Sequence, residues 1–237
     1  MRIAVLFSGQ PRFTGDFDKF LEHLTGYDYA DWFCYITNNN STHGVSTDVS
    51  ILDSWKSFDI DWAINKLQSN LPPNNYIASF AVSNCEQISL PSPPDGRMQT
   101  FYKMWYNVYK SNQLRLNFEK QHNVKYDLVI RIRSDVGITS TLDLKSINFE
   151  HIKQNIIMPK NQWAGLSCDQ FGMGSPEHMD VYCDLINHAE SYPYAHEPQW
   201  HPESNLGHHL ALNNIPSIKE NFNITLRQYP IDQNKWN

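Results

Sequence analysis

The stretch Asp127-Leu128-Val129-Ile130-Arg131-Ile132-Arg133-Ser134-Asp135 decides how the rest of this chain is read. Its apolar, mostly β-branched run has the composition of a buried strand and predicts one over Asp127 to Arg133. Side chains two apart on a strand share a face, so Arg131 and Arg133 point the same way. Charged groups are seldom buried on a central strand without partners. Asp135 follows at the strand's end, where a carboxylate can hold a divalent cation bridging two phosphates. A structural Arg–Asp network closing a turn fits the same residues.

Working outward, the segment before this strand predicts a long helix over Met98 to Lys120, with Phe101, Met104, Trp105, Val108 and Asn112 on one stripe. Further upstream, Ile3 to Phe7 reads as a buried first strand. Phe13, Phe17, Phe20, Leu21 and Leu24 recur at helical spacing. Asp31 to Thr37 reads as a second strand, Ile60 to Gln68 as a helix and Tyr76 to Val82 as a third strand. The proline-rich segment Leu90 to Gly96 forbids regular pairing and reads as a long surface connection.

Downstream, Ile156 to Met158 and Gln170 to Met173 are short strand candidates. Ser175-Pro176-Glu177 combines an N-cap residue, a proline at the first helical position and an early acid, a strong helix start. His201-Pro202-Glu203 opens another helix running to about Leu212. Strands alternating with helices imply an α/β fold: a mixed, mostly parallel central sheet with helices on both faces. The expected organisation is a single domain over residues 1–237.

With 41% hydrophobic and 13% aromatic residues in 237, the chain can bury a substantial core, which excludes global disorder. A formal net charge of -6 argues against nucleic-acid binding by general electrostatic attraction. No run approaches the ~20 apolar residues of a membrane helix. The opening strand is cut short by Ser8, Gly9 and Gln10 and has no cleavage-site pattern. The expected location is therefore the cytoplasm, with peripheral membrane association and oligomeric state left open. Cys34, Cys85, Cys168 and Cys183 stand far apart without a CxxC pair, so reduced thiols are expected. The sequons at Asn39, Asn40 and Asn223 read as chance matches.

Ligands of open α/β sheets bind beyond the carboxyl ends of the strands. Three polar clusters fall there: Ser8-Gly9-Gln10-Pro11-Arg12, Asn38 to Asn40, and Arg133-Ser134-Asp135. Gly9 lets backbone approach a ligand, and Arg12 offers a planar charged fork to a phosphate. A plain turn with a solvated Arg12 fits as well.

The arrangement of an apolar strand followed by R-x-D resembles the metal-binding D-x-D element of GT-A glycosyltransferases. DLVIRIRSD is more closely similar to the VIRxRxD element of bacterial and viral polysaccharide glycosyltransferases, including the WavE-like lipopolysaccharide-synthesis group. Other segments resemble that group in the same order: FSGQPR its first-strand loop, ADWFCYITNN its second strand and RMQTFYKMWYNVYKSNQL the helix before VIRxRxD. DQFGMGSPEHM resembles a later D-x-F-x-x-G-S segment, and PESNLGHHL a late acidic helix start. These matches span about residues 1 to 213.

The resemblance implies a nucleoside-diphosphate sugar donor over the first half (1–135) and an acceptor side in 136–237. Ser8, Gly9, Gln10, Arg12, Arg131 and Arg133 would surround the nucleotide and its phosphates. Asp135 would coordinate Mn²⁺ or Mg²⁺, with His208 or His209 completing the metal site. In this chain Arg133 stands where the first acid of D-x-D would be, so a guanidinium replaces a metal-binding carboxylate. Asp169 would orient an acceptor hydroxyl; an Asx turn before a strand is the alternative. Glu203 would be the general base of an inverting transfer. First-turn glutamates also complement the helix dipole, which is the plain reading of that residue.

The late histidines His188, His196, His201, His208 and His209 show no hydrolytic zinc spacing. Aromatics between Tyr192 and Trp200, and Trp163, could form an acceptor platform or simply pack. The expected activity is transfer of a sugar from a nucleoside diphosphate to a glycan hydroxyl, in polysaccharide or surface-glycan synthesis. A sugar nucleotidyltransferase would normally carry a glycine-rich, lysine-containing loop that SGQPRF lacks. A non-catalytic glycan-binding or assembly protein of the same fold is the other alternative.

Overall fold

The computed structural model describes residues 1–9, 23–38, 60–84, 96–134, 136–138, 140–160, 167–192 and 202–226. Strand β1 (Arg2–Gly9) is buried from Ile3 through Ser8, the pattern of a strand covered on both faces. A two-residue β2 (Leu24–Thr25) precedes β3 (Tyr29–Asn38), helix α1 (Ile60–Asn70) and β4 (Asn75–Asn84). Helix α2 (Gly96–His122) leads into β5 (Leu128–Arg133), followed by the short β6 (Val136–Ile138) and β7 (Leu142–Asp143). Helix α3 (Phe149–Gln154), β8 (Ile156–Pro159), β9 (Phe171–Gly174) and helix α4 (Pro176–Cys183) come next. Two 3₁₀ turns, Asp184–Asn187 and Ala189–Ser191, separate α4 from α5 (Pro202–Leu212); β10 (Ser217–Glu220) and β11 (Ile224–Leu226) follow.

Seven strands form one sheet in the order β10-β8-β9-β5-β1-β3-β4. Strand β9 runs antiparallel to β5 and β8; the other neighbours in that sheet pair parallel. The molecule is thus mixed α/β with a mostly parallel central sheet. The predicted strands and the helices over α1, α2, α4 and α5 all form. The helix expected over Phe13 to Leu24 lies mostly outside the described residues, and its last residue, Leu24, instead pairs with Leu142 in a β2–β7 ladder.

Alternation along β3 explains the two-sided core. Phe33 packs edge-on against Phe118 of α2 and Tyr35 against Tyr106, while Trp32, on the opposite face, meets Phe7. Ser175 caps α4, its Oγ accepting from the His178 amide at 3.3 Å, with Pro176 in the first turn as the sequence predicts.

The amino ends of the central strands are tied by charge. The Arg2 guanidinium donates to Asp31 Oδ2 at 2.7 Å, Tyr126 donates to the same oxygen at 2.6 Å, and the Arg2 amide donates to Asp127 Oδ2 at 2.7 Å. With that edge of the sheet closed by side chains, the carboxyl edge is left to loops.

Candidate functional site

Strand order places the site. From β1 the chain steps outward to β3 and β4, then returns through α2 to β5 on the other side of β1. The order reverses between β1 and β5, and such switch points open a crevice at the strands' carboxyl ends. Ser8 pairs with Arg133 at the end of that ladder. Gly9 has φ +127°, a conformation open to glycine, and a Cβ added there would lie 3.4 Å from Ser134 Oγ and 3.8 Å from Arg133 Cγ. Ser8, Gly9 and Arg133, expected at the donor phosphates, therefore converge. Gln10, Arg12 and Asp135 lie outside the described residues, as do Asn39 and Asn40.

Asp169 joins this group from the segment before β9. The Arg133 amide donates to the Gln170 carbonyl at 3.0 Å, drawing the segment to the end of β5. Arg133 Nη1 then lies 3.9 Å from Asp169 Oδ2. Asp169 is only 4% exposed, and among the described residues its Oδ1 has no hydrogen-bond partner. The turn into β9 is not made by that carboxylate: Cys168 Sγ accepts from the Phe171 amide at 3.3 Å. Ser8 Oγ is likewise buried without a partner.

Arg131 lies on the same face as Arg133, as alternation predicts, but it is 0% exposed. Among the described residues none of its three side-chain nitrogens has a hydrogen-bond acceptor. Arg115 shows how this fold otherwise treats a buried guanidinium: it donates to Asn112 Oδ1 at 2.9 Å, to Glu119 Oε1 at 2.6 Å and to Asp180. Burial pushes the Cys168 thiol up to about 12 and raises the Tyr182 hydroxyl and Cys183 thiol, and the charge of Arg131 opposes each shift. Asp169 is the acidic group that bears on Tyr182 together with Arg131. Arg131, expected beside the donor, is thus placed beneath the surface of the rim.

Glu203 stands in the first turn of α5, as predicted. It lines a cleft of about 830 Å³ together with Ser167, Ser204, Gly207 and His208. Ser167 connects the cleft to the switch point, standing two residues before Asp169; its Oγ would lie 3.2 Å from a Cβ at Gly207. Both residues expected to be catalytic, Glu203 and Asp169, thus border the same short segment.

His209 faces away from this cleft. Its Nε2–H donates to the Val181 carbonyl at 2.7 Å, and Nδ1 accepts from the Tyr192 hydroxyl. Burial, ahead of the neighbouring His188 and His208, lowers its pKa, so the neutral ring is favoured. Both ring nitrogens of His209, an expected metal ligand, are thus engaged within the protein. Among the described residues no group of three or more His, Cys, Asp or Glu side chains gathers to hold a metal ion. His188 pairs with Asp184 at 2.9 Å; His196, His201, Trp163 and the aromatic loop beyond Tyr192 are outside the described residues.

Three contributors escaped sequence reasoning. Ser134 backs Gly9, Ser167 joins the two halves of the site, and Tyr182 seats its hydroxyl on the Cys168 carbonyl at 2.8 Å beside Arg131. Ser134 and Ser167 sit inside motifs already singled out, RSD and SCDQFG. Tyr182 had no signal, because a tyrosine in an amphipathic helix reads as core.

No protein-family model matches this chain, and no curated protein matches it either. Among the described residues no helix is long and apolar enough to cross a membrane.

Proposed function

We propose that this chain is a glycosyltransferase of the GT-A type, moving a sugar from a nucleoside diphosphate to a hydroxyl of a glycan acceptor during polysaccharide or surface-glycan assembly. The observation that supports this is the gathering of Ser8, Gly9, Arg133 and Asp169 at the β1/β5 switch point, with Arg131 uncompensated beneath it.

Breaking a glycosyl–diphosphate bond places negative charge on the departing phosphate, and preorganised positive groups stabilise that charge best where water is excluded. Arg133 supplies a guanidinium at the rim, and Arg131 adds a fixed charge from below. Gly9 lets the phosphates approach the backbone, and Ser8 Oγ can donate to them. Asp169 Oδ1, which lacks a donor, accepts from a sugar hydroxyl and orients it. Glu203, across the Ser167 segment, takes the proton from the attacking acceptor hydroxyl.

The resemblance also implies a divalent cation on Asp135. Asp135 lies outside the described residues; the arginines and that cation would share the leaving-group charge, and metal titration decides what the cation adds.

Calorimetric titration with nucleoside diphosphates, with and without Mn²⁺, tests the proposal. Saturable binding that Arg133→Met weakens at least tenfold is expected. Absence of heat with every diphosphate tried, in either condition, would overturn it.

A further inference from the structure

The cleft beside α5 extends well past the two residues assigned chemistry. From Glu203 and Ser204 in the first turn it continues along Gly207, His208 and Ala211, and ends at Asn214, Ile215, Pro216 and Ser217. Strands β8 and β10 pair parallel, with Ser217 opposite Ile156 at their amino ends. Ser167, by contrast, lies near the start of β9, which is antiparallel and so sits at the carboxyl edge. The cleft therefore runs the depth of the sheet, from the donor edge to the far edge.

Its lining is mixed in character: Ser167, Ser204, Asn214 and Ser217 offer hydroxyls and an amide, and Leu210, Ala211, Ile215 and Pro216 offer apolar surface. Sugar rings present hydroxyl edges and apolar faces, and so complement such a surface. A cleft of about 830 Å³ lies within the usual size range of ligand sites, and its length along α5 exceeds what one ring would touch. Gly207 keeps the middle open and close to Ser167, whose Oγ would press on any Cβ there at 3.2 Å.

We propose that this cleft holds an extended oligosaccharide acceptor, its reacting end at Glu203 and Ser167 and its preceding sugars along α5 toward Ser217. The acceptor is then a growing chain, not a lone monosaccharide. The proposal rests on the glycosyl-transfer reading for its direction, while occupancy of the cleft can be measured without turnover.

The test is binding of reducing-end-tagged gluco-, galacto- and N-acetylglucosamine oligosaccharides of one to four units to the full chain, followed by fluorescence anisotropy. For at least one series, affinity is expected to rise with length from one to three units. Ala211→Trp and Ser217→Trp, each at an exposed position in the cleft, should weaken binding of the longest member at least tenfold. Thermal melts confirm that either variant folds, and two variants guard against failure of one. Binding that is absent in every series, indifferent to length, or unchanged in both folded variants overturns the proposal. Nucleoside-diphosphate titration is read separately: loss of that signal with oligosaccharide binding intact sinks the donor assignment and leaves the cleft assignment standing.

Discussion

Ser8 and Arg133 are the last partners in the parallel ladder that joins β1 to β5. Below them the ladder is apolar, from Ile3 opposite Leu128 to Phe7 opposite Ile132, with one exception: Leu6 faces the buried Arg131. The change to a polar pair marks where these strands stop serving the core. Ser8 Oγ is unpartnered, and Arg133 approaches Asp169, whose Oδ1 is unpartnered too. Both groups are enclosed, where polar atoms are ordinarily hydrogen-bonded to protein, ligand or water.

Arg131→Met gives the sharpest stability prediction. A guanidinium buried without acceptors carries its desolvation cost with no hydrogen bond to offset it. Methionine of similar length should leave unfolding free energy unchanged or raise it by about 1–4 kcal/mol, measured by urea melts without ligand. Nucleoside-diphosphate affinity should fall severalfold in the same protein. Arg115→Met is the contrast: it leaves the buried Glu119 carboxylate without its principal partner and should cost about 3–5 kcal/mol. Equal losses for the two variants would show that Arg131 has acceptors of its own.

The legible part of this fold was the part governed by periodicity and caps. DLVIRIR, the Phe101–Trp105–Val108 stripe and the Ser175-Pro176 start each follow from local rules, and each forms where those rules place it. The short pairings did not show: β6 with β11 and β2 with β7 hold only two or three residues each, too few for a pattern. At the site, alternation correctly put Arg131 and Arg133 on one face but could not say that one is sealed and the other reaches the rim. That difference is set by tertiary packing from remote parts of the chain, which no local pattern shows. The hydrogen bonds of His209 to Val181 and Tyr192 are likewise set by tertiary packing.

Gly9→Ala should destabilise the chain by about 1–3 kcal/mol, the usual cost of holding a side-chain-bearing residue in a sparsely allowed conformation. The cause is backbone geometry, because the nearest atom to an added Cβ, Ser134 Oγ, is 3.4 Å away and leaves room. Thermal and urea melts measure the cost. Unaltered stability would mean that the β1 turn does not need the positive φ.

His209 predicts a pH dependence of stability. Its folded-state pKa is lowered from 6.5, by burial first. Protonation therefore favours the unfolded chain: the contribution is complete above about pH 6.5 and is lost as pH falls toward the folded value. The slope below that point approaches about 1.4 kcal/mol per pH unit for one proton. His209→Gln should flatten it in urea melts between pH 8 and pH 5. Asp184, His188 and His208 also bear on the ring, so His188→Gln serves as the control for the exposed neighbour. A slope unchanged in His209→Gln would assign the acid sensitivity elsewhere.

Glu203→Gln and Asp135→Asn separate acceptor chemistry from donor binding. Glu203 lines the cleft at the Ser167 end, on the acceptor side of the proposed reaction. Replacing its carboxylate by an amide of the same shape removes proton transfer and keeps the packing. Turnover should drop roughly 10²–10⁴-fold, the contribution usual for a positioned general base, with nucleoside-diphosphate affinity changed less than threefold. Asp135→Asn should do the reverse, abolishing the Mn²⁺-dependent part of donor affinity and lowering turnover through it. Both effects are read from the same pair of measurements, calorimetry of the diphosphate and initial transfer rates. If Glu203→Gln instead collapses donor affinity, its carboxylate serves the donor, and the base must be sought on the other border of the Ser167 segment, at Asp169.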